Sequence, residues 1–244
     1  MTTLAVMQPT FAPWLGYFAL IDRADLFLFL DDVQLSRQSW QTRNRLKGPD
    51  GPVTLSLAVA RKPSKPKISE ARLADTDFAA KLKAKAETLL GKAPHAETSL
   101  KILSDNLDAA EGSLMKLNTG IIEGICAAVG LDGARRNASD MEAPPGEKAE
   151  RLVALCRAAE ADTYLSPVGA YDYLAGDTKF EDAGIDLRFL NYSCPEYPQP
   201  HPPFVSHLSA LDALAQVGPD GFLPLLREGY GDDLTLTDME RPAP

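Results

Sequence analysis

Three arginines, a tryptophan and a pair of carboxylates lie close together near the start of the chain. These are the groups that grip a phosphorylated ligand carrying a ring. Arg37, Arg43 and Arg45 have planar guanidinium forks that bond phosphate or carboxylate in two places. Trp40 lies between them and offers a flat face for a base or a sugar. Gln41 and Asn44, in the same run, have amides that suit hydroxyls and carbonyls. Asp31 and Asp32 stand just ahead, where paired carboxylates can hold a ribose, a sugar hydroxyl, an amine or magnesium. Either could also position or deprotonate an attacking amine, and they are the candidate catalytic pair. The residues single out no cofactor.

The elements that must position these groups are readable on either side. Leu4-Ala5-Val6-Met7 is a short apolar strand that stops at Gln8-Pro9. Pro13 suits the first turn of a helix over 14–24, and Trp14, Gly16 and Tyr17 stand at its start. A glycine there lets a ligand approach the backbone, and a helix N-terminus favours an anion. Class I nucleotidyltransferases use this place for a His-x-Gly-His motif, but Trp14 and Tyr17 occupy those positions here. The run Leu26 to Leu30 reads as a parallel strand covered on both faces.

Further along, Gly48-Pro49-Asp50-Gly51-Pro52 marks a turn, Val53 to Ala58 a strand and Ile68 to Leu73 another short strand. Arg61 to Lys67 reads as a basic loop, either a solvated connection or a flap that meets an anion. Residues 77–129 predict three helices, with Asp77 and Ser113 as caps. Leu131 to Glu142 is a linker or short strand, and Glu147 to Ala159 an amphipathic helix carrying Lys148 and Arg151 near its start. Thr163 to Gly169 predicts a strand ending near Ser166 in a site loop, and Gly184 to Leu190 a further strand. Five prolines make 192–204 an extended surface segment. A helix over 208–217 follows, with Ser206 as its cap, and the end after Tyr230 is expected to fray.

These elements predict an α/β fold: an open, mostly parallel, Rossmann-like sheet of nucleotidyltransferase-like layout with a helical insertion. Residues 1–75 would form the first half of the core, 76–130 the insertion or subdomain, 131–230 the second half and 231–244 a tail. In such sheets ligands bind beyond the C-terminal ends of the strands.

Composition narrows the classes. Of 244 residues 45% are hydrophobic and 24% charged, as in soluble globular proteins. The 25 basic and 34 acidic residues give a net charge of −9, which argues against binding extended nucleic acid. No apolar run approaches the ~20 residues that span a bilayer, and Met1-Thr2-Thr3 does not open a signal peptide, so a cytoplasmic protein without membrane insertion is expected. Cys126, Cys156 and Cys194 are scattered and odd in number, which argues against a disulfide framework or a thiolate zinc site. Cys194 as a nucleophile and His201 with His207 as metal ligands are weaker readings. Gly-x-Gly-x-x-Gly, phosphate-loop and His-Glu-x-x-His motifs are all missing.

The run Gln8 to Phe18, the element Phe29-Leu30-Asp31-Asp32-Val33-Gln34 and the segment Ser39 to Arg45 together resemble the WbqC-like proteins. Ala161 to Ser166, Gly184-Ile185, Tyr197-Pro198-Gln199 and Leu208 to Asp212 agree in order, so the resemblance covers nearly the whole chain. It implies a role in bacterial surface-polysaccharide (O-antigen) assembly: a transferase acting on a nucleotide-linked amino sugar, through acyl or aminoacyl transfer. The substrate-binding positions would be Gln8, Pro9, Trp14, Gly16, Tyr17, Arg37, Trp40, Gln41, Arg43, Asn44, Arg45, Lys148, Arg151 and Ser166. Two other readings stay open. One is an ATP-dependent ligase with a degenerate nucleotidyltransferase-like site, in which Lys148 and Arg151 hold triphosphate. The other is a non-catalytic sugar-nucleotide-binding partner of a polysaccharide-assembly enzyme.

Overall fold

Strand β1 (Thr3–Met7) is paired on both edges, to β2 (Leu26–Phe29) on one side and β6 (Thr163–Pro167) on the other. β5 (Ala134–Asn137) extends the sheet beyond β2, and β7 (Asp186–Leu190) extends it beyond β6. Every pairing is parallel and the order is β5-β2-β1-β6-β7, so the sheet grows first to one side of β1 and then to the other. This computed structural model describes residues 1–74 and 77–240. The expected boundary at 75–76 and the last four residues of the expected tail lie outside the described residues.

Period-two alternation decides what each strand face covers. Ala5, Phe27, Phe29 and Leu165 point into one core, while Leu4, Val6, Leu28 and Tyr164 point into the other. The first core is closed by α1 (Leu15–Arg23), α2 (Phe78–Leu90), α3 (Ala96–Ala109), α4 (Leu114–Val129) and α8 (Ala210–Glu228), the last kinked at Gly218. The second is closed by α5 (Lys148–Ala158) and the short helices α6 (Tyr171–Leu174) and α7 (Lys179–Asp182). The three helices expected between 77 and 129 are present. Their side chains share the core that α1 and α8 help to build.

Ser113 caps α4 as expected, accepting from Lys116 N, and the helix ends at Gly130, whose φ of 68° an L-residue adopts reluctantly. Asp77 makes no cap bond and pairs with Lys81 one turn on. The last long helix is capped by Ser209, which accepts from Leu211 N, rather than by Ser206. Leu208, between the two serines, is already buried, so the chain is committed to the core before the helix begins.

One strand is unforeseen and one strand expectation is corrected. Residues 43–48 form a strand, β3 (Arg43–Gly48), that pairs antiparallel with β4 (Gly51–Ser56) as a hairpin apart from the main sheet. Its polar residues hid it, since Asn44 and Lys47 are buried by bonding backbone rather than by being apolar. Ile68 to Leu73 holds a 3-10 turn at Ile68–Glu70 and isolated bridges instead of a strand. The chain after Tyr230 is tied down by the Phe189–Leu234 bridge and forms α9 (Leu236–Glu240). Among the described residues, no helix is long and apolar enough to cross a membrane.

Asp22 fastens the end of α8 to α1. It accepts 2.9 Å bonds from Arg227 Nε and Nη2 and a 2.7 Å bond from Tyr230. The Arg227 hydrogen bond holds the Asp22 carboxyl below its ordinary value of 3.8, so its contribution to stability is present above that pH and lost as pH falls through the depressed value. Asp22→Asn should therefore lower unfolding free energy near pH 7 by about 1 kcal/mol. The deficit should close in strongly acidic buffer, as measured by urea titrations at both pH values.

Candidate functional site

The reversal of strand order leaves a crevice beyond the C-terminal end of β1, where no crossover covers it. A cleft of about 510 Å³ opens there. Met7, Gln8 and Thr10 line it from the end of β1 and the loop after it, Leu30 from just past β2, and Pro167, Gly169 and Tyr173 from the end of β6, the 3-10 turn that follows and α6. Trp40 and Gln41 close one side. A second cavity of about 240 Å³ adjoins it, with Met7, Thr10 and Trp40 common to both. Pro13, Trp14, Tyr17, Asn44, Arg45 and His207 complete that second lining.

The loop after β1 is held by amides. Asn44 Nδ2 donates to the carbonyls of Phe11 (3.1 Å) and Ala12 (2.8 Å), and its Oδ1 accepts from Arg45 N. Asn118 Nδ2 donates to the carbonyls of Pro9 and Gln41, both at 2.9 Å. Gln41 Nε2 bonds Gln8 Oε1, and Gln41 Oε1 accepts from Ser36 N. Two buried asparagines thus hold the loop that carries Gln8 and Thr10 against the segment that carries Trp40. Asn118 was missed in the sequence, although a polar residue between Leu117 and Ile121 on an apolar helix stripe is a readable signal.

Trp14 precedes α1, and its ring folds back over Gly16, where any Cβ would collide with it. His207 packs on the same ring at 4.5 Å and Tyr192 meets it edge-on at 5.6 Å. Tyr17 is buried, donates to Gln8 O at 3.2 Å, and is held neutral by a hydroxyl value pushed well up through burial. Trp40 is 51% exposed, with the Arg45 guanidinium 5.4 Å from its ring centre. Arg45 Nε and Thr10 Oγ1 are buried without a partner among the described residues.

The other expected residues are placed elsewhere. Asp31 is buried, with Oδ1 accepting from Ser139 N and Oδ2 from Ser139 Oγ, which joins the end of β2 to the end of β5. Asp32 pairs with Arg151 at 2.6 Å, and Arg151 also holds the carbonyls of Ala143 and Pro144. Arg37 Nη2 donates to Ala60 O at 2.9 Å, tying the basic loop to the hairpin side. Arg43 and Lys148 are exposed, and Pro9 and Ser166 are buried, Ser166 donating to Pro167 O. Of the three clustered arginines, Arg45 alone lines either cavity.

The cysteines are unpaired. Burial pushes Cys126 and Cys156 up to about 12, and it raises Cys194 as well, so all three thiols are held in their poorly nucleophilic form. Among the described residues no three His, Cys, Asp or Glu side chains gather as a metal site.

The family model described as the WbqC-like protein family matches residues 8–222. The uncharacterized protein Rv1507c of Mycobacterium tuberculosis is 31% identical over 221 residues, an alignment that covers 89% of this chain and 95% of that protein. No solved structure matches the chain.

Removing the Asn118 amide strands two buried carbonyls. Asn118→Ala should cost about 1–3 kcal/mol of stability, read as a lower denaturant midpoint. A midpoint within error of the parent protein would mean that the loop after β1 is held by other contacts.

Proposed function

We propose that this chain, which belongs to the WbqC-like protein family, is a transferase that holds a nucleotide-linked amino sugar in the cleft beyond β1, β2 and β6. Its work would be acyl or aminoacyl transfer to that sugar in the assembly of bacterial surface polysaccharide such as O-antigen. The observation that carries this reading is the cleft's position at the strand-order reversal, with an exposed indole and paired amides along one wall. Gln8 and Gln41 supply donors and acceptors for sugar hydroxyls. Trp40 supplies an apolar face for a sugar ring.

In the transfer, the sugar amine attacks the donor's acyl carbon, a C–N bond forms, the bond to the acyl carrier breaks and the amine gives up a proton. The departing carrier takes up that proton. Asp31 and Asp32 act as positioning residues, since Ser139 and Arg151 already occupy them. The same Arg151–Asp32 pair weakens the case for a triphosphate held by Arg151. Three unpaired cysteines support work in the cytoplasm, where thiols stay reduced.

Pyrimidine-diphospho amino sugars should raise the melting temperature, because a ligand that binds only the folded state stabilises it. Trp40→Ala should weaken that binding about tenfold or more, equivalent to ~1.4 kcal/mol, while leaving the unliganded melting temperature nearly unchanged. Unaltered affinity in the variant would remove the cleft from the site. Binding without amide product in the presence of acyl donors would instead identify a non-catalytic binding partner.

A further inference from the structure

We infer that the smaller cavity is the nucleoside-diphosphate end of the site, with the pyrimidine base against Trp14 and Trp40 and the phosphates against Arg45 and Thr10. This rests on the proposed sugar-nucleotide reading and assigns each end of the ligand to a compartment.

The charge is the first reason. Arg45 is part-buried, stacked on Trp40, and has no carboxylate partner among the described residues. A cation held in apolar surroundings without a counter-charge is costly, and an incoming anion removes that cost. The orphaned atoms are the second reason. Native proteins leave few buried polar side-chain atoms unbonded. Six are unbonded among the described residues, and two of them, Arg45 Nε and Thr10 Oγ1, belong to residues that line this one cavity. Thr10 also lines the larger cleft, so an anion bonded there lies at the junction of the compartments.

Shape supplies the third reason. Trp14 and Trp40 both line this cavity of about 240 Å³, and a single-ring base needs less of that space than a purine. The larger cleft, reached past Thr10 and Trp40, then takes the sugar. A diphosphate joining base to sugar spans that junction.

The chain has two tryptophans and both line this cavity, so intrinsic fluorescence reports on it directly. The parent protein, Arg45→Met and Thr10→Val would each be titrated with UDP, ADP, uridine and a UDP-amino sugar, with calorimetry alongside fluorescence. Thr10→Val removes an oxygen that bonds nothing in the fold, so it tests the contact without risk to folding. UDP should quench fluorescence saturably and bind about tenfold more tightly than ADP. Arg45→Met should lose about tenfold or more in UDP affinity with uridine affinity little changed, and Thr10→Val about threefold. Calorimetric binding of the UDP-amino sugar that leaves fluorescence and both variants unaffected would overturn this assignment while sparing the sugar-nucleotide reading. Absence of binding by UDP and the UDP-amino sugar would overturn both.

Discussion

Parallel pairing of β1 on both of its edges is the constraint on which the rest of the molecule depends. A parallel neighbour cannot be reached by a tight turn, so each connection must travel over a face of the sheet as a helix. The connection to β2 leaves by α1, and the chain returns to the opposite edge of β1 only after β5 and α5. Helices that depart on either side leave the C-terminal end of β1 uncovered. Both cavities take part of their lining from the residues that follow it.

An uncovered strand end is of use only if the loops around it keep their shape, and here polar bonds do that work. Asn44 and Asn118 satisfy carbonyls of Pro9, Phe11, Ala12 and Gln41, none of which lies in a regular sheet pairing. Asp31 with Ser139 and Asp32 with Arg151 fix the ends of β2 and the loop after β5. Buried groups bonded in this way cannot shift without stranding a donor or acceptor in a medium that solvates it poorly. Asp212 works likewise beneath the hairpin, accepting from Lys47 N at 2.7 Å and Tyr197 Oη at 3.1 Å, and burial raises its carboxyl above the ordinary range. Two of the residues with an unbonded buried atom, Arg45 and Thr10, stand around one small space beside the exposed Trp40.

The two carboxylates and the several arginines near the start of the chain thus divide by role. Asp31, Arg37 and Arg151 bond inside the fold, and Asp32 pairs with Arg151 through one of its oxygens. Arg45 instead lies over the Trp40 ring in the cavity proposed for a nucleotide. Gly16 belongs to the same design, because its missing side chain is the space that Trp14 fills.

The sequence by itself determined the sheet strands β1, β2, β6 and β7, the helices α1 to α5 and the end of the molecule that carries the cavities. Apolar runs with period two or 3.6, interrupted by Pro, Gly and capping serines, are local signals that survive in any context. It also marked Gln8, Trp14, Tyr17, Trp40, Gln41, Asn44 and Arg45, all of which line one cavity or the other. Tertiary structure decided that β3 is a strand, that Ser209 rather than Ser206 starts α8, and which of the clustered arginines lines a cavity. Those outcomes depend on partners far away in sequence: Asp212 beneath Lys47, Asn118 beneath Gln41, Arg151 against Asp32. A polar side chain reads the same in sequence whether it is bonded or free, and only the fold brings its partner to it.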